Sequence, residues 1–349
     1  MKALDPPYAS RELLANSTDW RGQPGRTADL LIRPRWSVML PAYNSAADLR
    51  RSLSSVLAHE RSGDVMQIEV VDDCSKSDEV ARVVEEIGQG RVSFFRQPIN
   101  VGHARNFNTC VERARGHFVH ILHADDWVAH GFYDEMDAVF EAFPEVGAAF
   151  CRHAIVAQSG RVLRLSPLER SEPGVLERWF ERIGAELPLQ PPSIVVRRAV
   201  YEDLGSFDTR MASCGEDWEM WARISAFYPV AFTPEVLANY QDTEGSVTKR
   251  SISSGQNMKD VRKAIQILDS YVDSPAGRKA LGCAPENWAK WGLYWAYELT
   301  CKGEFKSALV QLRQALICSQ SPRTLAAVLK MARFFVKRRL RFLTHQLQW

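Results

Sequence analysis

Three pairs of adjacent acids could do chemistry: Asp72-Asp73, Asp125-Asp126 and Glu216-Asp217. The first follows the apolar run Ile68-Glu69-Val70-Val71, and the second ends the stretch Gly116-His117-Phe118-Val119-His120-Ile121-Leu122-His123-Ala124. Both runs carry the β-branched and aromatic residues of buried strands. The carboxyl end of a strand is where an open α/β sheet binds ligands. Two neighbouring carboxylates repel and so favour a cation beside them. Oxygen donors select hard ions, Mg²⁺ or Mn²⁺, which often bridge phosphates. Taken alone, either pair also fits a solvated loop, because acids are common in turns. Glu216-Asp217 opens Gly215-Glu216-Asp217-Trp218-Glu219-Met220-Trp221-Ala222-Arg223, which reads as the start of an amphipathic helix. Acids in a first turn are often no more than partners of the helix dipole. Together the pairs supply what transfer from a nucleotide needs: an acceptor to read the base, a metal site for the phosphates and a base for the nucleophile.

The elements that must position these acids follow from periodicity. Trp36-Ser37-Val38-Met39-Leu40 reads as the first buried strand, Pro41-Ala42-Tyr43-Asn44 as the loop that ends it, and Ser45 as a helix cap. Leu49, Leu53, Val56 and Leu57 lie at helical spacing, as do Val80, Val83, Val84 and Ile87. Val92-Ser93-Phe94-Phe95 is a third strand; Asn100-Val101-Gly102 breaks the chain, and a helix from Ala104 to Arg115 leads into the fourth strand. Alternating strand and helix predicts a parallel, doubly wound sheet.

A chain of 349 residues suggests one large domain and a smaller one. The expected division is an extension over 1–35, partly disordered or draped on the rest, an α/β domain over 36–250 and an all-helical region over 255–349. Seven Cys without a CxxC argue against a disulfide framework or a zinc site. No apolar run nears the ~18 residues that span a bilayer, and the N-terminus shows no signal-type apolar stretch. A cytoplasmic, reduced protein is expected. The helix expected over Pro322–Leu347 is basic and amphipathic, with Lys330, Arg333, Lys337, Arg338 and Arg341 beside Leu325, Leu329 and Phe335. It suits either packing on its own protein or peripheral contact with the inner membrane face. No motif supports nucleic-acid binding. The cluster Trp288, Trp291 and Trp295 has helical spacing and reads as core, and Tyr294 to Pro322 resembles one tetratricopeptide-like hairpin.

In order and spacing, the pieces resemble glycosyltransferase family 2, whose members have the GT-A fold. They are Ser37 to Asn44, Val70 to Ser75, Asn100-Val101-Gly102 with Ala104-Arg105-Asn106, Gly116 to Asp126, Pro192 to Arg198, Gly205 to Asp208, and Gly215-Glu216-Asp217 with Arg223. The resemblance implies a Rossmann-like, mostly parallel sheet flanked by helices. It implies a nucleotide-sugar donor, commonly a UDP-sugar, a Mn²⁺ or Mg²⁺ cofactor, and a glycan, lipid-linked or protein acceptor. Pro41, Ala42, Tyr43, Asn44, Asp72 and Asp73 would surround the base, and Arg105, His123, Ala124 and Asp125 would complete the donor site. Asp126, with Asp125, would serve the metal through a DXD-type motif, and Asp217 would be the catalytic base of an inverting transfer, with Glu216 a weaker candidate on the acceptor side. Arg223 would orient an acid or phosphate, or form a surface salt bridge.

The chain departs from the family pattern twice. His123 stands where an acid is common, and Asn239-Tyr240-Gln241-Asp242-Thr243-Glu244-Gly245-Ser246-Val247-Thr248, read as a lid loop, lacks the usual His, with Thr243 near its place. No Gln-x-x-Arg-Trp sequence occurs, which disfavours a processive synthase. Two other classes compete. A nucleotidyltransferase would need a Gly-rich phosphate loop after the first strand, and Pro41-Ala42-Tyr43-Asn44 is not one. A non-catalytic nucleotide-sugar-binding or scaffold protein with a degenerate site would draw on the two departures.

Overall fold

The computed structural model describes residues 8–15, 20–24 and 33–333. Strands are β1 (Trp36–Ala42), β2 (Met66–Asp72), β3 (Ser93–Arg96), β4 (Phe118–Ile121), β5 (Trp127–Val128), β6 (Ala148–Ala157), β7 (Val162–Leu165), β8 (Gly174–Val175), β9 (Ile194–Arg197) and β10 (Val230–Asp242). Helices are α1 (Arg11–Ala15), α2 (Ala46–Leu57), α3 (Glu79–Gly88), α4 (His103–Arg113), α5 (Phe132–Ala142), α6 (Trp179–Ile183), α7 (Arg198–Leu204), α8 (Glu216–Phe227), α9 (Val247–Ile252), α10 (Gln256–Asp269), α11 (Pro275–Leu281), α12 (Ala284–Cys301) and α13 (Phe305–Cys318). Residues 322–333 are also helical.

The main sheet runs β3-β2-β1-β4-β9-β6-β10-β5. Its first four strands are parallel, as alternating strand and helix dictates. The other half is mixed. β9 runs antiparallel to both β4 and β6, whereas β6 and β10 pair in parallel. The parallel half is the part that the alternation marked; the second half is reached through β6, β9 and β10, whose short or irregular runs gave no clean period. β1 and β2 are buried at every position, which suits strands covered on both faces. Chain order reverses between β2-β1 and β1-β4, so a crevice opens beyond the carboxyl ends of β1 and β4. Gly116 lets the chain enter β4 there: a Cβ at this position would lie 2.4 Å from the Trp36 carbonyl carbon and 2.6 Å from the Ser37 nitrogen.

α8 departs from the amphipathic expectation. Every residue from Trp218 to Phe227 is buried, because the helix lies between the sheet's core and the helical region. One hydrophobic cluster takes in Val119, Phe150 and Trp218 together with Val261, Leu268, Val272 and Leu281, so α10 and α11 share a core with the sheet. The Trp cluster is part of the packing: Trp288 and Trp291 lie against this core, and the Trp218 and Trp288 rings are 5.0 Å apart. α12 and α13 form a helical hairpin turning at Gly303, whose φ is +82°.

The described parts of the N-terminal extension drape over the main body. Tyr8 stacks on Phe180, Ala9 bridges to Val272, and Arg21 bridges to Asp208. The Arg21 guanidinium is buried 3.8 Å from Glu219 and lies over the Tyr271 ring. Glu219 also accepts from Arg223 at 3.1 Å and from the Tyr271 hydroxyl at 2.8 Å. Arg223 is fully buried and donates to the Leu204 and Ser206 carbonyls. It braces α8 from within and holds an acid, Glu219, in place of a phosphate or a surface partner. Glu219→Ala would leave two guanidiniums buried without their shared anion. Breaking a buried pair typically costs about 3–5 kcal/mol, so the urea midpoint should fall sharply at unchanged m-value, as an unfolding titration would show.

Of the helix expected over Pro322–Leu347, residues beyond Arg333 lie outside the described residues, including Phe335, Lys337, Arg338 and Arg341. No helix among the described residues is long and apolar enough to cross a membrane.

Candidate active site

The crevice predicted by the strand order is a cleft of about 390 Å³. Its near wall is Pro41, Tyr43, Asn44, Ser45 and Asp48, from the end of β1 and the start of α2. Its floor is His103, Phe107, His123, Ala124 and Asp125; its far wall is Glu216, Asp217, Tyr240, Thr243 and the segment from Gly245 to Thr248. Gln190 and Pro191 close one side. Four of these lining residues are acids, which makes the cleft receptive to a cation.

The β1 end differs slightly from expectation, since the strand continues through Pro41 and Ala42 before the turn. Asn44 holds that turn: its φ is +51°, its N–H donates to Ser75 Oγ at 2.8 Å, and its side-chain oxygen accepts from Lys76 N–H. Asn tolerates this left-handed geometry better than most residues. Ser45 occupies the cap position of α2 but its side chain makes no capping bond. The Tyr43 ring is exposed on the rim, free to stack on a planar ligand.

Asp72 and Asp73 do structural work. Asp72 is fully buried and takes hydrogen bonds from the Ser75 N–H and hydroxyl and from Arg96 Nε. Asp73 accepts from the Val101 N–H at 2.7 Å and the Gly102 N–H at 3.0 Å, pinning the break before α4. Burial pushes the Asp73 carboxyl up, against the lowering effect of those two bonds. Neither acid lines the cleft, nor does Ala42; Arg105 is exposed on α4 and also stands outside the lining.

The second acid pair sits in a turn after β4, in which the Asp126 N–H donates to the His123 carbonyl. Asp125 faces the cleft, where Thr243 donates to its Oδ2 at 3.2 Å. Asp126 points inward and is fully buried. Its Oδ1 accepts from the Gln241 N–H at 2.9 Å, which ties the turn to β10, while its Oδ2 meets no hydrogen-bond donor. Burial first, and then the neighbouring Asp125 charge, raise the Asp126 carboxyl well above the usual range. His123 Nδ1 lies 4.0 Å from that Oδ2. Ligand atoms of His123, Asp125 and Asp126 all fall within 4.8 Å of one another, so one ion could touch all three. The residues expected as lid are in part strand, since β10 runs to Asp242; Asp242 pairs with Lys249 at 2.7 Å.

The third pair divides its labour. Gly215, with φ +92°, turns the chain into α8. Glu216 is buried and points at His103, whose Nε2 is 3.2 Å from Glu216 Oε1, an ion-pair approach rather than an aligned hydrogen bond. Burial opposes charge on both, yet their attraction wins: the His103 imidazole is raised and the Glu216 carboxyl lowered. Asp217 faces the cleft. Burial and the adjacent Glu216 charge raise it to about 7, opposing the bond it accepts from Trp218 N–H and the pull of His103. A helix N-terminus alone would favour the ionised form; burial, and then the Glu216 charge, reverse the sign.

His103, Phe107, Gln190 and Tyr240 were not singled out from the sequence. His103 and Phe107 lie in the first turns of α4, where spacing marked only a helix. Phe107 stacks on His123 with ring centres 4.9 Å apart and meets His103 edge-on, so one aromatic column joins the second acid pair to the third.

The glycosyl transferase family 2 model matches residues 37–205. An uncharacterized protein of Mycobacterium tuberculosis is 28% identical over 267 residues, covering 73% of this chain and 81% of that protein. The succinoglycan biosynthesis protein ExoO of Rhizobium meliloti is 32% identical over 134 residues, 38% of this chain and 37% of its own length. Among solved structures, S. aureus TarS 1–349 in complex with UDP-GlcNAc superposes with a TM-score of 0.62 at 17% identity, over 84% of this chain and 83% of that one. The mannosyltransferase PcManGT from Pyrobaculum calidifontis, in complex with GDP-Man and Mn²⁺, gives 0.55 at 18% identity, over 90% and 84%. At such identities the likeness carries the fold. Residues 37–205 thus form a glycosyl transferase family 2 domain, and the architecture of the chain is the GT-A fold with a helical C-terminal region.

Proposed function

We propose that this glycosyltransferase is a metal-dependent, inverting and nonprocessive enzyme. It takes a sugar from a nucleotide donor, most readily a UDP-sugar, and passes it to a hydroxyl of a glycan, lipid-linked or protein acceptor. The observation that carries the reading is that Asp217 lines the same cleft as His123 and Asp125, whose ligand atoms lie within 4.8 Å of buried Asp126.

The residues fit a divalent ion. Asp126 offers a fully buried oxygen with no donor, an arrangement that costs stability unless a cation answers it. Asp125 and Asp126 are hard oxygen donors suited to Mn²⁺ or Mg²⁺. TarS and PcManGT are described with UDP-GlcNAc and with GDP-Man and Mn²⁺. A bound ion would supply charge to balance the departing diphosphate. In this reading Pro41, Tyr43 and Asn44 hold the base, with the Tyr43 ring stacked on it, and Ala42 supports the turn from outside the lining. Asp73, outside the lining, serves this pocket by holding the break before α4 through its two backbone bonds.

Asp217 takes the proton from the acceptor hydroxyl as that oxygen bonds to the anomeric carbon and the carbon–diphosphate bond breaks. A base titrating near 7 suits that task. One base suffices for a single displacement. A double displacement would need a carboxylate nucleophile as well, and Glu216 is held by His103. Titration of UDP-, GDP- and dTDP-sugars with and without Mn²⁺ tests the reading: donor binding should need the ion. A protein that binds donor without turning it over, at any metal concentration, would instead be the degenerate binding protein.

The chain from Phe305 onward contains Lys and Arg but no Asp or Glu. We place the enzyme at the cytoplasmic face of a membrane, touching it peripherally through this basic end. Binding to anionic vesicles should be seen at low salt and should weaken as salt screens the charges; no sedimentation with vesicles at low salt would leave the end as a packed helix with a solvated basic face.

A further inference from the structure

We propose that His123 is itself a ligand of the divalent ion, so that this site is a mixed nitrogen–oxygen centre preferring Mn²⁺ and later transition metals over Mg²⁺. The inference rests on the metal-dependent reading above and goes beyond it by assigning the residue that departs from the family pattern.

Three observations support it. His123 Nδ1 is 4.0 Å from Asp126 Oδ2, a separation that two ligands of one ion can adopt, and the Asp125 oxygen lies within the same 4.8 Å group. Asp126 Oδ2 is fully buried and has no donor, so the oxygen facing the imidazole lacks any other partner. The imidazole cannot swing freely, because it stacks on Phe107 at 4.9 Å and 20°. Phe107 is in turn packed against Phe207, with ring centres 5.3 Å apart.

Chemistry gives the selectivity. An acid at position 123 would make a triad of three carboxylates, hard and triply charged. A neutral imidazole reduces the charge by one and introduces a borderline nitrogen donor. Mg²⁺ prefers oxygen and holds its waters tightly, whereas affinity of nitrogen-containing sites rises along the first transition row. Position 123 thus trades Mg²⁺ affinity for transition-metal selectivity.

The test uses the full chain and metal alone. Mn²⁺ bound to the wild type should show ¹⁴N coupling in pulsed electron paramagnetic resonance, and titration calorimetry should show tighter binding of Mn²⁺ than of Mg²⁺. His123→Asp should abolish the nitrogen coupling and shrink the Mn²⁺-over-Mg²⁺ preference by about tenfold or more. His123→Ala should lose the coupling and weaken Mn²⁺ binding. Circular dichroism identifies a variant that has failed to fold. For that case the wild-type spectrum still decides, because Mn²⁺ bound without ¹⁴N coupling overturns the inference. An unchanged metal preference in folded His123→Asp overturns it too. Failure of the broader reading looks different: nucleotide-sugar binds equally well with and without any divalent ion.

Discussion

Asp217→Asn should lower the transfer rate by about 10²–10⁴-fold while donor affinity stays at the parent value. The amide keeps the shape of the carboxylate and can still accept from the Trp218 N–H, but it cannot take the acceptor's proton. A positioned base commonly contributes that range. The proposed donor contacts lie elsewhere, on the β1 turn and in the 123–126 turn. The pH dependence has a definite sign. Burial and the Glu216 charge hold the Asp217 carboxyl at about 7, so the ionised base is lost as pH falls through that value. The parent's rate should rise through a limb near pH 7, and the limb should vanish in the variant. Stability offers a control. The folded-state value exceeds the ordinary 3.8 of an exposed Asp, so ionisation costs stability at neutral pH, a cost absent well below 3.8. The amide removes it, and the variant's urea midpoint at about pH 8 should be no lower than the parent's. Loss of donor binding together with rate would make Asp217 a binding residue.

Asp126→Asn should weaken Mn²⁺-dependent donor binding by more than about 100-fold. Outer partners of metal ligands already account for about 10–100-fold in affinity, and this change removes a ligand's charge. The fold should survive, because the amide oxygen can take over the bond from Gln241 N–H that fastens the turn to β10. Asp125→Asn should act in the same direction, with a smaller structural consequence, since Asp125 faces the cleft and its partner there is the Thr243 hydroxyl. The measurement is donor titration at fixed Mn²⁺, with the unfolding midpoint recorded for each variant. Parent-like affinity in both variants would move the metal away from this turn.

The sequence made some of this visible and hid the rest for identifiable reasons. β1, β2 and β4 were legible because strands buried on both faces read as apolar runs, and their ends marked the acid pairs directly. The mixed half of the sheet was not legible. β9 is four residues long, and β10 shifts register against β6 between Thr233 and Val236 and again between Val236 and Ala238, so neither keeps a steady period. α8 looked amphipathic because Glu219 and Arg223 are charged, but each satisfies the other inside the protein along with Tyr271. The acid pairs were all read as facing ligand, each with its own role. Only the structure separates them, placing Asp72 and Asp73 in loop-holding bonds and leaving Asp125 and Asp217 facing the cleft. His103 was invisible because its partner Glu216 lies far along the chain, on α8, and no local pattern reports such a pairing. His123 was visible as a departure, but its neighbourhood with Asp126 Oδ2 was not.

The most direct test of the account is release of nucleoside diphosphate from a panel of UDP-, GDP- and dTDP-sugars, in the presence of candidate hydroxyl acceptors, with Mn²⁺ and again with a chelator. The account predicts release from at least one donor, strongest with a UDP-sugar, that stops with the chelator, and that Asp217→Asn reduces to about one per cent or less. Release that persists at the parent rate in the chelator, or in Asp217→Asn, would contradict it.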